Sequence, residues 1–169
     1  MSDNIRVGLI GYGYASKTFH APLITGTPGM ALAAVSSSDA AKVHADWPSV
    51  PVVSEPKHLF NDPNIDLIVI PTPNDTHFPL AKAALEAGKH VVVDKPFTVT
   101  LSQARELDAL AKSLGRLLSV FHNRRWDSDF LTVKRLLSEG TLGEILFFES
   151  HFDRFRPQVR NRWREQAGP

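Results

Sequence analysis

Lys95 has the clearest capacity for chemistry, because it stands between an acidic residue and a proline in the run Asp94-Lys95-Pro96. Proline restricts the residue before it to extended conformations, and this fixes the direction in which the ammonium group projects. A lysine that faces a cleft can orient a hydroxyl group and exchange a proton with it. We therefore predict a catalytic role for Lys95. The alternative is an exposed lysine in an ordinary loop.

Gly11 and Gly13 directly follow an apolar run and occupy the first two positions of the fingerprint G-x-G-x-x-G/A. Gly11 would permit a sharp turn, and Gly13 would let the backbone come close to a pyrophosphate. Tyr14 and Ala15 would open the helix whose N-terminus faces the phosphates. Ser16 replaces the third glycine, which weakens the match. The pattern predicts a dinucleotide site or, alternatively, an ordinary glycine turn.

Ser36, Ser37 and Ser38 follow the second predicted strand, where a dinucleotide-binding fold usually has an acidic residue that binds the ribose hydroxyls. Hydroxyl groups can donate to a 2′-phosphate and bring no repelling charge. The serines therefore favour NADP over NAD, with Lys42 as a possible helper. A plain helix cap before Ala40 explains them equally well.

Polar residues follow the other predicted strands as well. Pro71, Thr72 and Asn74 end the central strand, and His77 lies in the first turn of the next helix. We predict that all four contact a cofactor, although a capping or packing role for His77 remains open. Arg124, after the last strand of the series, is a further candidate for ligand binding.

The elements that must position these residues alternate between strand and helix. After the first strand, further strand-like runs occur at residues 30–35, 50–53, 66–70, 90–93 and 117–121. Helical stretches lie between them, and Pro22 should shorten or kink the first one. Asp75 or Thr76 should cap the helix after the central strand, and Thr100 or Ser102 should cap the helix that ends before Gly115. This alternation predicts an α/β fold with a doubly wound parallel sheet. In such a sheet, ligands bind outside the carboxyl ends of the strands.

Four of these segments, in this order, resemble motifs of the Gfo/Idh/MocA family of oxidoreductases. They are the G-x-G turn, residues 71–77 (the family's T-P-N-x-x-H), residues 94–96 (the family's E-K-P, here with Asp for Glu) and residues 122–125 (a site-facing N-R segment). The resemblance covers essentially the whole chain. It implies a Rossmann domain that binds NADP or NAD and reversible hydride transfer with a sugar or polyol carbinol. Lys95 would then lie next to the reacting hydroxyl, and Asp94 and Lys95 would both contact the cofactor.

The resemblance also implies two domains: a Rossmann domain at residues 1–122 and, at residues 123–169, the beginning of an α+β domain for substrate binding and oligomerisation. Residues 144–155 alternate in the manner of a half-buried strand. The open edges of that strand, at residues 146–155, predict a homo-oligomer. Family members carry a later D-x-G-x-H stretch, whose histidine acts with the lysine. The chain therefore resembles a fragment, which we expect to be inactive alone.

Composition narrows the function classes. The chain has 169 residues, a net charge of +1 and no cysteine. Neither nucleic acid nor a membrane is expected as a partner, and the histidine spacing does not suggest a metal site. We expect a soluble, cytoplasmic enzyme with a small-molecule substrate. The alternative, from another class, is a nucleotide-binding module or sensor without catalysis.

Overall fold

The computed structural model describes residues 4–155 and 157–158. The chain divides into two compact units, Met1–Phe121 and His122–Pro169. The first unit alternates strands and helices in the order β1 (Ile5–Ile10), α1 (Ala21–Gly26), β2 (Met30–Ser36), α2 (Ala40–His44), β3 (Val52–Val53), α3 (Pro56–Phe60), β4 (Leu67–Ile70), α4 (Asn74–Glu86), β5 (His90–Asp94), α5 (Leu101–Ser113) and β6 (Leu118–Phe121).

The six strands form one parallel sheet in the order β3-β2-β1-β4-β5-β6. β1 pairs with β2 on one side and with β4 on the other, so the chain changes direction across the sheet between β1 and β4. This is the strand order of dinucleotide-binding folds, which bind their ligand at that reversal. The predicted doubly wound parallel sheet is confirmed.

Both faces of the sheet are covered, because alternate side chains of a strand point to opposite faces. Ile68 and Ile70 of β4 belong to a buried cluster with residues of α3, α4 and α5. Val69, between them, belongs to a second cluster with residues of α1 and α2. The two cores hold the sheet rigid, and the strand-end loops can therefore present side chains in fixed positions.

A buried lysine fixes the connection between α3 and β4. Lys89 is 7% exposed, and its Nζ donates to the backbone carbonyls of Asp62, at 2.6 Å, and Ile65, at 2.8 Å. A buried ammonium group is tolerated where its protons find acceptors. Lys89 therefore ties the turn before β5 to the loop before β4.

Some of the predicted helix ends are confirmed and others are wrong. Asp39 caps α2 by accepting from the N–H of Lys42, at 3.0 Å, and Thr100 caps α5 in a capping box with Gln103. α4, however, begins at Asn74, directly after Pro73, and has no side-chain cap. Neither Asp75 nor Thr76 serves as the cap that the sequence predicted.

The helix after the glycine turn is irregular near Pro22, as predicted, although helical structure continues through the proline. A π-helical stretch, Ser16–His20, leads directly into α1. Pro22 falls in the first turn of α1. Pro22 has no N–H, so it cannot donate the hydrogen bond that a regular α-helix would make at this position.

The second unit contains a 3₁₀-helix, Asn123–Trp126, and α6 (Ser128–Ser138), but not the predicted strand at 144–155. Strands need neighbours for their backbone hydrogen bonds, and the described residues offer none here. Both sides of the alternation are exposed, as Phe147 (79%) and Phe148 (69%) illustrate. The predicted oligomer thus lacks the strand on which it was based. The described helices include none long and apolar enough to cross a membrane.

Candidate functional site

A cleft of about 420 Å³ opens at the carboxyl ends of β1, β2, β3 and β4, around the point where the strand order reverses. Its lining includes predicted site residues, namely Gly11, Gly13, Ser36, Ser37, Ser38, Thr72 and the possible helper Lys42. It also includes residues that the sequence did not single out, namely Ile10, Tyr12, Asp39 and Ser54. The structure therefore gathers residues from four strand ends at the position where this fold binds its ligand.

The glycine turn has the geometry that its sequence predicted. Gly11 has a φ of +78°, a conformation that side chains disfavour, and its N–H donates to the carbonyl of Ser36 at 2.7 Å. A Cβ added to Gly13 would meet no heavy atom within 4 Å. Ser16 is buried and donates from Oγ to the carbonyl of Gly11 at 2.9 Å. The serine thus braces the turn, and open space lies over Gly13.

Tyr12, between the two glycines, anchors the turn through its side chain. Its hydroxyl donates to Asp46 Oδ2 at 2.9 Å and accepts from Trp47 Nε1 at 2.8 Å. Lys17 pairs with the same carboxylate at 2.8 Å. Burial and the Asp46 carboxylate raise the pKa of Tyr12, and hydrogen bonds from Lys17 and Tyr12 lower the pKa of Asp46. Sequence reasoning missed Tyr12 because Asp46 lies 34 residues away.

The serine run divides its work between capping and the cleft. Ser37 Oγ accepts from the N–H of Asp39 at 3.1 Å, and Asp39 in turn caps α2. The capping alternative thus holds for Asp39, with Ser37 supporting it. Ser36 is buried at the end of β2, whereas Ser38 and Lys42 are exposed at the cleft. Ser38 and Lys42 remain accessible to a ligand.

At the end of β4, backbone and hydroxyl contacts shape the loop. Thr72 Oγ1 lies 2.6 Å from Thr76 Oγ1, which itself donates to the carbonyl of Pro73 at 2.6 Å. Pro71 and Asn74 are half-buried on either side. Of these residues, only Thr72 lines the cleft.

His77 lies beneath this loop and is 1% exposed. Its Nδ1 lies 2.8 Å from the carbonyl oxygen of Pro96, and its Nε2 lies 2.8 Å from that of Thr72. Both ring nitrogens therefore face backbone carbonyls of this chain. This arrangement favours the packing alternative over a direct contact between the ring and a cofactor.

Asp94 and Lys95 form the turn after β5. Lys95 is exposed, and the bond between it and Pro96 is cis. Asp94 is 8% exposed, and its Oδ1 accepts from the N–H of Lys95 at 2.7 Å. Its Oδ2 lies 3.8 Å from Nε2 of His20, a buried histidine that the sequence did not single out. The Lys95 ammonium can thus approach a ligand, while the Asp94 carboxylate holds the backbone N–H of Lys95.

The electrostatics of this turn keep Asp94 ionised. Burial raises the pKa of the Asp94 carboxyl, but the His20 ring, the N–H of Lys95 and the positive charge of Lys95 lower it. The net pKa lies below the ordinary value of aspartic acid. The carboxylate is therefore a fixed negative charge directly before Lys95.

The remaining predicted residues also lie outside the cleft lining, as do Asp94, Lys95 and His77. Tyr14 is 77% exposed and packs edge-on against Phe19, with 6.0 Å between ring centroids. Ala15 is half-buried directly before the π-helical stretch. Arg124 belongs to the second unit, where its Nη1 pairs with Asp127 Oδ2 at 2.7 Å. Ligand contacts of these three residues stay predictions.

Known proteins share this architecture and much of this sequence. Residues 5–122 match the Gfo/Idh/MocA oxidoreductase family, with its NAD-binding Rossmann fold. The uncharacterized oxidoreductase YdgJ of Escherichia coli K12 is 88% identical over the whole chain, which covers 49% of YdgJ. The scyllo-inositol 2-dehydrogenase (NADP(+)) IolW of Bacillus subtilis is 42% identical over 98% of this chain and 46% of its own length.

A solved structure agrees with these matches. The candidate oxidoreductase YPO2259 of Yersinia pestis superimposes with a TM-score of 0.93 at 76% identity, over 97% of this chain and 47% of its own. The chain thus spans about half the length of the relatives that it matches.

Proposed function

Because the chain belongs to the Gfo/Idh/MocA oxidoreductase family, we propose that it forms the NADP-binding part of a sugar or polyol dehydrogenase. The observation that carries the proposal is the cleft over Gly13, where an added Cβ would meet no atom of the protein. Space of this kind over a glycine turn lets a pyrophosphate lie against the backbone.

The residues of the cleft fit a dinucleotide. Gly11 and Gly13 would carry the pyrophosphate, and the start of the following helix would offer N–H groups to it. Thr72 would contact the cofactor nearer its nicotinamide end. When bound, the nicotinamide supplies the acceptor or donor of a hydride. The chain's own residues would hold the cofactor in place and exchange a proton with the substrate hydroxyl.

We assign the exchange of a proton with the substrate hydroxyl to Lys95. Its exposed ammonium group would donate a hydrogen bond to the substrate hydroxyl and exchange a proton with it at Nζ. Asp94 supports this role, because its ionised carboxylate accepts from the Lys95 N–H and so holds the turn. Asp94 acts through the backbone, whereas Lys95 would touch the substrate.

We propose NADP rather than NAD as the preferred cofactor. Ser38 and Lys42 are exposed at the cleft and could bind a 2′-phosphate. The carboxylate of Asp39 is held by the N–H of Lys42 at the start of α2. The relative IolW is a scyllo-inositol 2-dehydrogenase (NADP(+)), and this supports both the preference for NADP and a polyol substrate.

Several expectations about the whole protein stay predictions. They concern the domain boundary at residue 122, the inactivity of the 169-residue chain alone, a homo-oligomeric state and a cytoplasmic location. Binding of nucleotide without turnover by the complete protein would favour the alternative function of a sensor.

The proposal is tested by calorimetry of NADPH and NADH binding to the chain and to its Gly13→Val variant. We expect NADPH binding to the chain and its loss in the variant, because the valine side chain fills the space of the pyrophosphate. Gly26→Val is a matched control. Gly26 is also exposed, lacks a positive φ and has no heavy atom within 4 Å of an added Cβ. Unchanged affinity in Gly13→Val would contradict the proposed site.

A further inference from the structure

The Lys95 turn has a buried histidine on each side. His77 contacts the carbonyl of Pro96, the residue after Lys95, and His20 faces the carboxylate of Asp94, the residue before it. The two histidines are 1% and 4% exposed. One comes from α4 and the other from the end of the π-helical stretch, so two separate elements converge on one turn.

We propose that His20 and His77 are positioning residues that together hold the backbone of Lys95, so that its ammonium group points into the site. The proposal rests on the proposed function of Lys95 and extends it to residues that do not reach a ligand. Both rings are buried and act through Asp94 and Pro96.

His77 links two strand-end loops. Its Nδ1 contact with Pro96 belongs to the loop after β5, and its Nε2 contact with Thr72 belongs to the loop after β4. A neutral imidazole has one N–H and can donate to one of these carbonyls, whereas the protonated ring can donate to both. In either state, the ring fixes the spacing between Thr72, at the cleft, and the turn that carries Lys95.

His20 acts through Asp94. Its Nε2 is buried and has no hydrogen-bond partner among the described residues, and it lies 3.8 Å from Asp94 Oδ2. The other carboxylate oxygen, Oδ1, accepts from the N–H of Lys95. The path therefore runs from His20 through the carboxylate to the backbone of Lys95.

Packing alone does not account for a histidine at position 20. The ring lies against Phe121, with 4.4 Å between centroids, and an apolar ring would fill this space as well. A buried nitrogen without a hydrogen bond destabilises the folded chain, and an apolar side chain would avoid this cost. Its closeness to the Asp94 carboxylate is what the histidine adds.

The His77 contact is tested with three variants of the complete protein. Asn retains an N–H near the position of Nδ1, Gln retains one near Nε2, and Leu retains neither. We expect His77→Leu and His77→Gln to lower kcat roughly 10-fold to 100-fold, because small displacements at a reacting centre have effects of this size. His77→Asn should restore much of kcat, because it keeps an N–H near the carbonyl of Pro96.

The His20 contact is tested in the 169-residue chain by NMR. In His20→Phe, the pKa of the Asp94 carboxyl should rise, because the ring that helps to lower it is gone. Hydrogen exchange of the Lys95 amide should become faster. His58→Phe is the control, because His58 is an exposed histidine of α3. His20→Gln keeps an N–H group and should lie between His20→Phe and the unmodified chain.

The outcomes separate this proposal from the proposed function. Equal kcat values in His77→Asn and His77→Gln, or an unchanged Lys95 amide and Asp94 pKa in His20→Phe, would overturn the positioning roles even if Lys95 is catalytic. Conversely, if Lys95→Ala leaves turnover intact, the proposed catalytic role of Lys95 fails, whereas the NMR results would still show whether the histidines hold the turn.

Discussion

Two turns at the carboxyl edge of the sheet, the glycine turn after β1 and the Lys95 turn after β5, are built differently. At the glycine turn, the cleft is made of backbone and open space: Gly11 takes a φ of +78°, and nothing lies over Gly13. At the Lys95 turn, the site is made of buried side chains that contact the backbone, namely His77 at Pro96 and Asp94 at the N–H of Lys95. The glycine turn borders an open cleft, whereas the Lys95 turn is held by contacts to its backbone.

The two turns are therefore sensitive to different kinds of substitution. A site of backbone and space fails when a side chain fills it. A site held by buried contacts fails when one partner is removed, because the other partner is then left without its hydrogen bond.

The largest expected effect is at Lys95. In the complete protein, Lys95→Ala should lower turnover roughly 10²-fold to 10⁴-fold, the usual range for loss of a general acid or base. Thermal unfolding should stay nearly unchanged, because Lys95 is exposed and the variant keeps the N–H that donates to Asp94. Steady-state kinetics and a thermal melt measure the two quantities.

Lys57→Ala is the control for Lys95, because Lys57 is an exposed lysine of α3 in the same unit. If Lys95→Ala unfolded the chain while Lys57→Ala did not, Lys95 would be a structural residue. The Lys95 turn would then not differ from the glycine turn in the way described above.

An intermediate effect is expected at Lys42, on the cleft side. Lys42→Ala should weaken NADPH binding about tenfold, or about 1.4 kcal/mol, and leave NADH binding unchanged. The cap of α2 survives, because Asp39 binds the backbone N–H of Lys42 and not its side chain. Calorimetry with both nucleotides measures the selectivity. An equal loss for both would show that Lys42 does not distinguish them.

The smallest effect is expected at Asp94, as a dependence of stability on pH. The pKa of Asp94 is lowered in the folded chain, so its stabilising contribution is present above the unfolded pKa of about 3.9 and is lost as the pH falls through the folded pKa. Asp94→Asn should therefore lose less stability than the unmodified chain between pH 7 and pH 3, as measured by urea unfolding.

Asp108→Asn, at an exposed ion pair, is the control for Asp94. If Asp94→Asn showed the same acid sensitivity as the unmodified chain, Asp94 would not be held as an anion in the folded state.

Local patterns were enough to predict the sheet and the glycine turn. An apolar run followed by Gly11 and Gly13 specifies a strand and a turn within a few residues, and the comparisons confirm the family that these motifs resemble. The capping box at Thr100 was predictable for the same reason, since both partners lie within one helical turn.

Long-range contacts were not predictable in this way. Nothing near Tyr12 in sequence indicates its bond to Asp46, and nothing near His20 indicates that it faces Asp94. The predicted strand at 144–155 was wrong because alternation specifies a half-buried strand only where a neighbouring strand and a core exist. Such partners are a property of the fold.

Because Lys89 is buried, an amine-reactive reagent can measure local unfolding of the first unit. Lys57 and Lys112 are exposed and react with an acylating reagent in the folded chain, whereas both carbonyl contacts of Lys89 must open before its amine can react. The ratio of the two acylation rates then gives the free energy of opening of the connection between α3 and β4. One side chain thus serves as a built-in chemical reporter of local unfolding, on a chain that contains no cysteine for thiol labelling.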